Sequence, residues 1–149
     1  DLAIGPGTFK PVDTERIEDY RIHAEHCSCP TETVAAVQRC REAGGRVIAV
    51  GTTSVRTLET AAAQPGGFAP YQGWTSLFLH PPARLRVVDG LMTNFHLPRS
   101  SLLMLVACLT GRDRLLESYA TAIAGGYRFF SYGDAMLILP LDPTPDRAT

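Results

Sequence analysis

The stretch from Thr31 to Ala63 constrains the fold more than any other part of this chain, because two helical segments flank a short apolar run and a tight turn. Thr31 to Ala43 carries Val34, Val37 and Cys40 at helical spacing with Ala36 between them, which predicts a helix with one buried stripe. Gly44-Gly45 can supply its left-handed C-terminal cap. Arg46-Val47-Ile48-Ala49-Val50 then predicts a short, nearly continuous apolar strand of the kind covered on both faces. Gly51 breaks that strand, and the hydroxyls of Thr52, Thr53 and Ser54 are placed to cap a second helix, Val55 to Ala63, which stops before Pro65-Gly66-Gly67. Helix, strand, turn and helix in this order indicate an α/β (mixed α+β) fold, a mixed sheet with flanking helices.

The remainder is consistent with that class. Asp1 to Gly5 reads as the tail of a strand entered midway, as in a piece of a longer polypeptide. Gln64 to Gly73 is a Pro- and Gly-rich surface connection, and strands are expected at Trp74 to Leu79 and Leu85 to Val88 around a Pro81-Pro82 turn. Asp89-Gly90 is a hairpin signal leading into Leu91 to Phe95. Ser100 and Ser101 can cap a very apolar helix, Leu102 to Leu109, and Asp113 another, Arg114 to Ala124, closed by Gly125-Gly126. Tyr127 to Phe130 and Ala135 to Leu139 form a last strand pair around Tyr132-Gly133-Asp134. Residues 1–140 make one domain, and 141–149, with nothing to bury, a disordered tail.

At 149 residues the chain is long enough for one core that buries roughly two-thirds of its unfolded surface. Lys and Arg total 14 against 15 Asp and Glu, so a nucleic-acid contact must use a local patch. Arg39, Arg41 and Arg46, then Arg84, Arg86 and Arg99, then Arg112 with Arg114, are the candidates. Cys27, Cys29, Cys40 and Cys108 form no CxxC pair and read as reduced structural thiols. No charged and apolar leader and no uninterrupted apolar run of about 18 residues is present, so the expectation is a soluble, cytoplasmic monomer that contacts no membrane.

Several positions carry chemistry. Gly51-Thr52-Thr53-Ser54 lies between a strand and a helix N-terminus, where free N–H groups favour a phosphate or carboxylate unless the hydroxyls serve only as caps. The turn lacks the GxxxxGK[ST] pattern of nucleotide triphosphatases. Arg56 and Glu59 either join that mouth or form a local i,i+3 ion pair. Asn94 and His96 are expected on one face at the sheet exit, His96 as a proton carrier. Arg128, Phe129, Phe130, Ser131, Tyr132, Gly133 and Asp134 surround a turn whose rings can stack on a base or face a sulfonium, or pack inward while Arg128 and Asp134 pair. His23 and Glu25 are polar candidates near a substrate. His23, His26, Cys27 and Cys29 are competent metal ligands, but four such residues in one extended segment cannot converge, and no metal site is expected.

Three blocks in order, Gly51-Thr52-Thr53-Ser54-Val55-Arg56, Thr93-Asn94-Phe95-His96-Leu97-Pro98 and Tyr127-Arg128-Phe129-Phe130-Ser131-Tyr132-Gly133-Asp134-Ala135-Met136, resemble the S-adenosylmethionine:tRNA ribosyltransferase-isomerases of queuosine biosynthesis. The resemblance runs from Gly5 to Leu139 and corresponds to the C-terminal half of the family's large domain. It implies transfer of the ribosyl unit of S-adenosylmethionine, a substrate, onto 7-aminomethyl-7-deazaguanine in a tRNA with a GUN anticodon, forming epoxyqueuosine and releasing adenine and methionine. His96 is then the first candidate for proton transfer and Asp134 the second. Arg56 with Gly51 to Ser54 would hold the methionine carboxylate or a tRNA phosphate, and Tyr127 to Asp134 would line the sulfonium or base pocket. Ala3, Ala24, Ser76 and His80-Pro81-Pro82 depart from the family pattern. A truncated, non-catalytic module that binds tRNA or a small ligand is the competing reading, and an unrelated small-molecule enzyme using the anion turn is a third.

Overall fold

A computed structural model describes residues 2–3 and 11–139 of the chain, so the tail at 141–149 lies outside the described residues, as does the block 5–9. In chain order the elements are β1 (Leu2–Ala3), a 3-10 turn (Ile17–Asp19), β2 (Glu25–Cys29), α1 (Thr31–Glu42), β3 (Ile48–Val50), α2 (Thr52–Ala62), β4 (Tyr71–Thr75), β5 (Gly90–Asn94), α3 (Ser101–Thr110), α4 (Arg112–Ala124) and β6 (Ala135–Ile138). The class is mixed α+β, with the strands divided between two three-stranded sheets. One has the order β1-β2-β4 and is wholly antiparallel. The other has the order β3-β5-β6, with β3 and β5 parallel and β6 antiparallel to β5.

Helix α2 ties the two sheets together. Val55 is fully buried in the main core, with Leu91, Leu105 and Val106, whereas Ala61 packs with Cys29 and Val34, and Ala62 with Val37 and Val87. Leu58 packs against all three clusters. Four threonines lower the helix propensity of this segment, so burial rather than propensity holds it, at about 1.5–3 kcal/mol for a fully buried valine.

Several expected elements are replaced, each for an identifiable reason. The 85–88 strand is absent because the N–H groups of Arg86, Val87 and Val88 donate to the Glu59 carboxylate at 2.7, 2.8 and 2.9 Å rather than to a ladder. The expected hairpin at Asp89-Gly90 is a crossover instead: the Asp89 carboxylate accepts from Val47 N, Asp89 N donates to Val47 O, and β5 runs parallel to β3. The strand expected at 74–79 is displaced to Tyr71–Thr75, where β4 pairs with β2. The 127–130 segment is not a strand. Tyr127 N is held by Ala122 O at the end of α4, Phe130 N by Phe95 O, and Phe130 has φ +64. Strand β3 is covered on one face only, with Ile48 and Val50 38% and 68% exposed, because the described helices pack on the side of Ala49. Ser100 does cap α3, accepting from Leu103 N at 3.2 Å, but Gly111 rather than Asp113 precedes α4.

Candidate functional site

The sequences before α1 and α2 deliver both helix N-termini to one place. Strand β2 ends at Cys29 and turns through Pro30 into α1, while β3 ends at Val50 and turns through Gly51 into α2. Between them lies a cleft of about 590 Å³, whose polar wall is Ser28, Thr33, Thr53, Ser54 and Thr57 and whose apolar wall includes Cys29, Ile48, Val50 and Leu58. Gly51 adopts φ +83, ψ 146, a conformation that only glycine takes without strain, and its N–H donates to Met92 O, fixing the turn to β5.

The hydroxyls at this turn do not cap α2, contrary to expectation. Neither α2 nor α1 has a side-chain cap, and Ser54 Oγ instead donates back to Val50 O at 2.7 Å and Thr57 Oγ1 to Thr53 O at 3.0 Å. The first-turn N–H groups of α2 therefore lack an intrahelical or capping partner at the mouth of the cleft, where the positive end of the helix dipole also lies. Ser28 and Thr33 were not anticipated. The signal was Pro30-Thr31, a proline next to the start of a helix that follows a strand, as at Gly51-Thr52.

Arg56 and Glu59 leave this mouth altogether. The Arg56 guanidinium is 2% exposed, donates through Nε to Leu77 O and forms an ion pair with Glu25, itself 4% exposed. Glu59 is also buried and serves the 86–88 backbone, so neither the shared mouth nor an i,i+3 pair is formed. The reason is register. Glu25, Cys27 and Cys29 face inward from β2 onto α2, and Arg56 meets Glu25 there, close enough for its charge to oppose the rise that burial imposes on the Cys27 thiol. Glu25 is thus interior, whereas His23 precedes the strand and is exposed. His26 turns to the opposite face from Cys27 and Cys29. Burial raises the Cys29 thiol as well, and that of Cys108 to about 11.

A second constellation joins two of the sequence blocks. Asn94 Nδ2 donates to Phe130 O at 2.8 Å, Phe130 N to Phe95 O at 2.7 Å, and Arg128 N to the Asp134 carboxylate at 2.5 Å. The 127–134 loop is thereby stapled to the end of β5. Asp134 binds the Arg128 backbone rather than its guanidinium. Phe129 turns inward onto Phe95 and Tyr119, the Tyr127 ring meets Phe95 while staying exposed, and Tyr132 is 71% exposed beside Ser131 and Gly133. Asn94 and His96 do not share a face, because β5 ends at Asn94 and the alternation ends with it. Asn94 is exposed, and His96 is 7% exposed with Nε2 2.9 Å from Thr93 Oγ1 and its N–H donating to the Tyr119 hydroxyl. Burial holds the imidazole neutral, its pKa lowered to about 4, and pushes the Tyr119 phenol upward.

The chain is thus a mixed α+β domain that presents two uncapped helix N-termini at one polar cleft, with a stapled aromatic loop at the end of its second sheet. The particular family follows from comparison with known proteins. A family model described as Queuosine biosynthesis protein matches residues 1–138, and the chain belongs to that family. It is 59% identical over 140 residues to the S-adenosylmethionine:tRNA ribosyltransferase-isomerase of Synechococcus sp. strain WH7803, covering 93% of this chain and 38% of that protein. The enzyme of the same name from Pelotomaculum thermopropionicum is 53% identical over 138 residues, covering 93% and 40%. The crystal structure of the S-adenosylmethionine tRNA ribosyltransferase from Thermotoga maritima superposes with a TM-score of 0.73 at 55% identity, over 77% of this chain and 40% of that one. The chain thus spans about two-fifths of the length of these relatives.

Proposed function

We propose that this chain carries part of the active site of an S-adenosylmethionine:tRNA ribosyltransferase-isomerase, which moves the ribosyl unit of S-adenosylmethionine onto 7-aminomethyl-7-deazaguanine in tRNA and releases adenine and methionine. The observation that carries the reading is 59% identity across 93% of the chain to a relative bearing that name. The cleft between α1 and α2 holds a carboxylate or phosphate of the substrates, through the first-turn N–H groups of α2 and the hydroxyls of Thr53, Ser28 and Thr33. Arg56 contributes from behind, by holding β2 against α2 through Glu25. Of the two proton carriers, Asp134 meets the substrate more readily: it is partly exposed on the stapled loop, whereas His96 is enclosed and lines none of the described clefts. His96 in this reading orients the loop through Thr93 and Tyr119 and stays neutral at physiological pH. The exposed Tyr132, with Ser131, Gly133 and Phe130, borders the base or sulfonium.

The test is a chimera of the Synechococcus relative in which this chain replaces the matched 140-residue stretch, expressed in cells that lack their own enzyme. Epoxyqueuosine in the digested tRNA supports the reading. A folded chimera that leaves the precursor base unmodified, beside an active parent, overturns it.

A further inference from the structure

The outward face of the segment from Trp74 to His80 is not absorbed by the core or by the cleft. Thr75 and Leu79 turn inward, 3% and 8% exposed, and Leu77 packs against the main core. The alternate residues turn out. Trp74, the only tryptophan of the chain, is 68% exposed, and its backbone carbonyl is fixed by the Tyr71 hydroxyl at 2.8 Å. The His26 ring stands edge-on to it at 5.8 Å, across the β2–β4 pair. Further along, Phe78 lies 4.9 Å from His80 and 5.1 Å from Tyr20, ring centre to ring centre. A groove of about 290 Å³ opens among Tyr20, Ser76, Phe78 and His80, bordered by Arg21, whose Nη1 is anchored on Glu18 O at 2.8 Å.

We propose that this aromatic stripe is a base-stacking surface for single-stranded RNA, with Trp74 as its principal stacking residue; the proposal rests on the tRNA reading above. Three observations favour RNA. Six residue steps from Trp74 to His80 reach at most ~20 Å, the limit for an extended chain, since β4 itself ends at Thr75, and that reach leaves room for more than one unpaired base. The rings are interrupted by small Ser76, and the groove beside them carries His80 and Arg21 together with Ile17, Ile22 and Glu18, so stacking rings and a guanidinium that can meet a phosphate lie side by side. By contrast, the other sheet presents Val50, Met92 and Leu137 in one aliphatic cross-strand row, 68%, 46% and 60% exposed, which suits a protein surface.

The experiment titrates the 149-residue chain with a labelled anticodon stem-loop RNA, reading RNA anisotropy and Trp74 emission together, and repeats the titration with S-adenosylmethionine alone. The expected result is saturable RNA binding with quenching of Trp74 at the same midpoint. Trp74→Ala weakens binding about 5- to 150-fold and Trp74→Phe recovers most of it. RNA bound with equal affinity by wild type and Trp74→Ala, with unchanged emission, overturns the stacking surface and leaves the tRNA reading standing. Quenching by S-adenosylmethionine but not RNA overturns it in favour of the adenine of that substrate. An emission change that follows protein concentration alone overturns it in favour of a protein contact. Absence of any RNA binding in anisotropy removes both the stripe and this chain's own part in tRNA recognition.

Discussion

Replacing Glu59 by alanine removes the acceptor for three backbone donors at once. Val87 and Val88 are 1% and 0% exposed, and their N–H groups bond to one carboxylate oxygen at 2.8 and 2.9 Å, while Arg86 N bonds to the other at 2.7 Å. Orphaning a buried N–H costs about 1–3 kcal/mol, so the two valines alone put the loss near 4 kcal/mol, with Arg86 adding least because it lies nearer solvent. For a domain of this size that corresponds to a fall of about 8–16 °C in Tm. Glu59→Gln keeps one acceptor oxygen for the valines but sets an amide NH2 against the Arg86 N–H, which costs about 1–2 kcal/mol. Urea denaturation of wild type and both variants measures these losses. A Glu59→Ala chain within about 1 kcal/mol of wild type would refute the assignment of Glu59 as the partner that replaces a strand ladder at 86–88.

The buried pair of Arg56 and Glu25 behaves asymmetrically: Arg56→Met alone costs about 3–5 kcal/mol by removing the carboxylate's buried counter-charge, and adding Glu25→Leu restores most of it, as a double-mutant cycle in urea measures. His96 contributes a pH dependence of definite sign. Its folded pKa, about 4, lies below the ordinary value of 6.5, so the unfolded chain binds the extra proton first; stability is complete above pH 6.5 and falls by about 3 kcal/mol as pH drops to 4. Wild type and His96→Leu, compared by denaturation midpoint across that window, should differ in slope, and identical slopes would remove His96 as the cause. Gly51→Ala finds only Thr53 Oγ1 at 3.5 Å near its new methyl, so its cost is conformational, about 1–3 kcal/mol, and thermal melting reads it.

The α/β class was legible because Val34 and Val37 keep helical spacing and the 48–50 run is short, apolar and bounded by Gly51. The strand–Gly51–helix turn was legible for the same reason, since a glycine after a strand and hydroxyls before a helix are local signals. What was hidden depends on contacts distant in sequence. Glu59 looked like a neighbour of Arg56, yet its partners are 27 to 29 residues away, and the partner of Arg56 is 31 away. The apparent strand at 85–88 has the right residue types, but strand propensity reflects the surface a segment meets, and here a carboxylate met it first. Asp89-Gly90 illustrates a turn signal overruled by topology, because its backbone was claimed by Val47. Asn94 and His96 looked like a face pair only for as long as the strand was assumed to continue.

The most direct measurement is single-turnover release of adenine from S-adenosylmethionine by the Synechococcus chimera, with tRNA bearing 7-aminomethyl-7-deazaguanine present or omitted. The account predicts release that requires the tRNA and that falls at least tenfold when Asp134→Asn is introduced into the transplanted segment, with the fold intact. Release by the parent but not by the folded chimera, or undiminished release by the Asp134→Asn form, would contradict it.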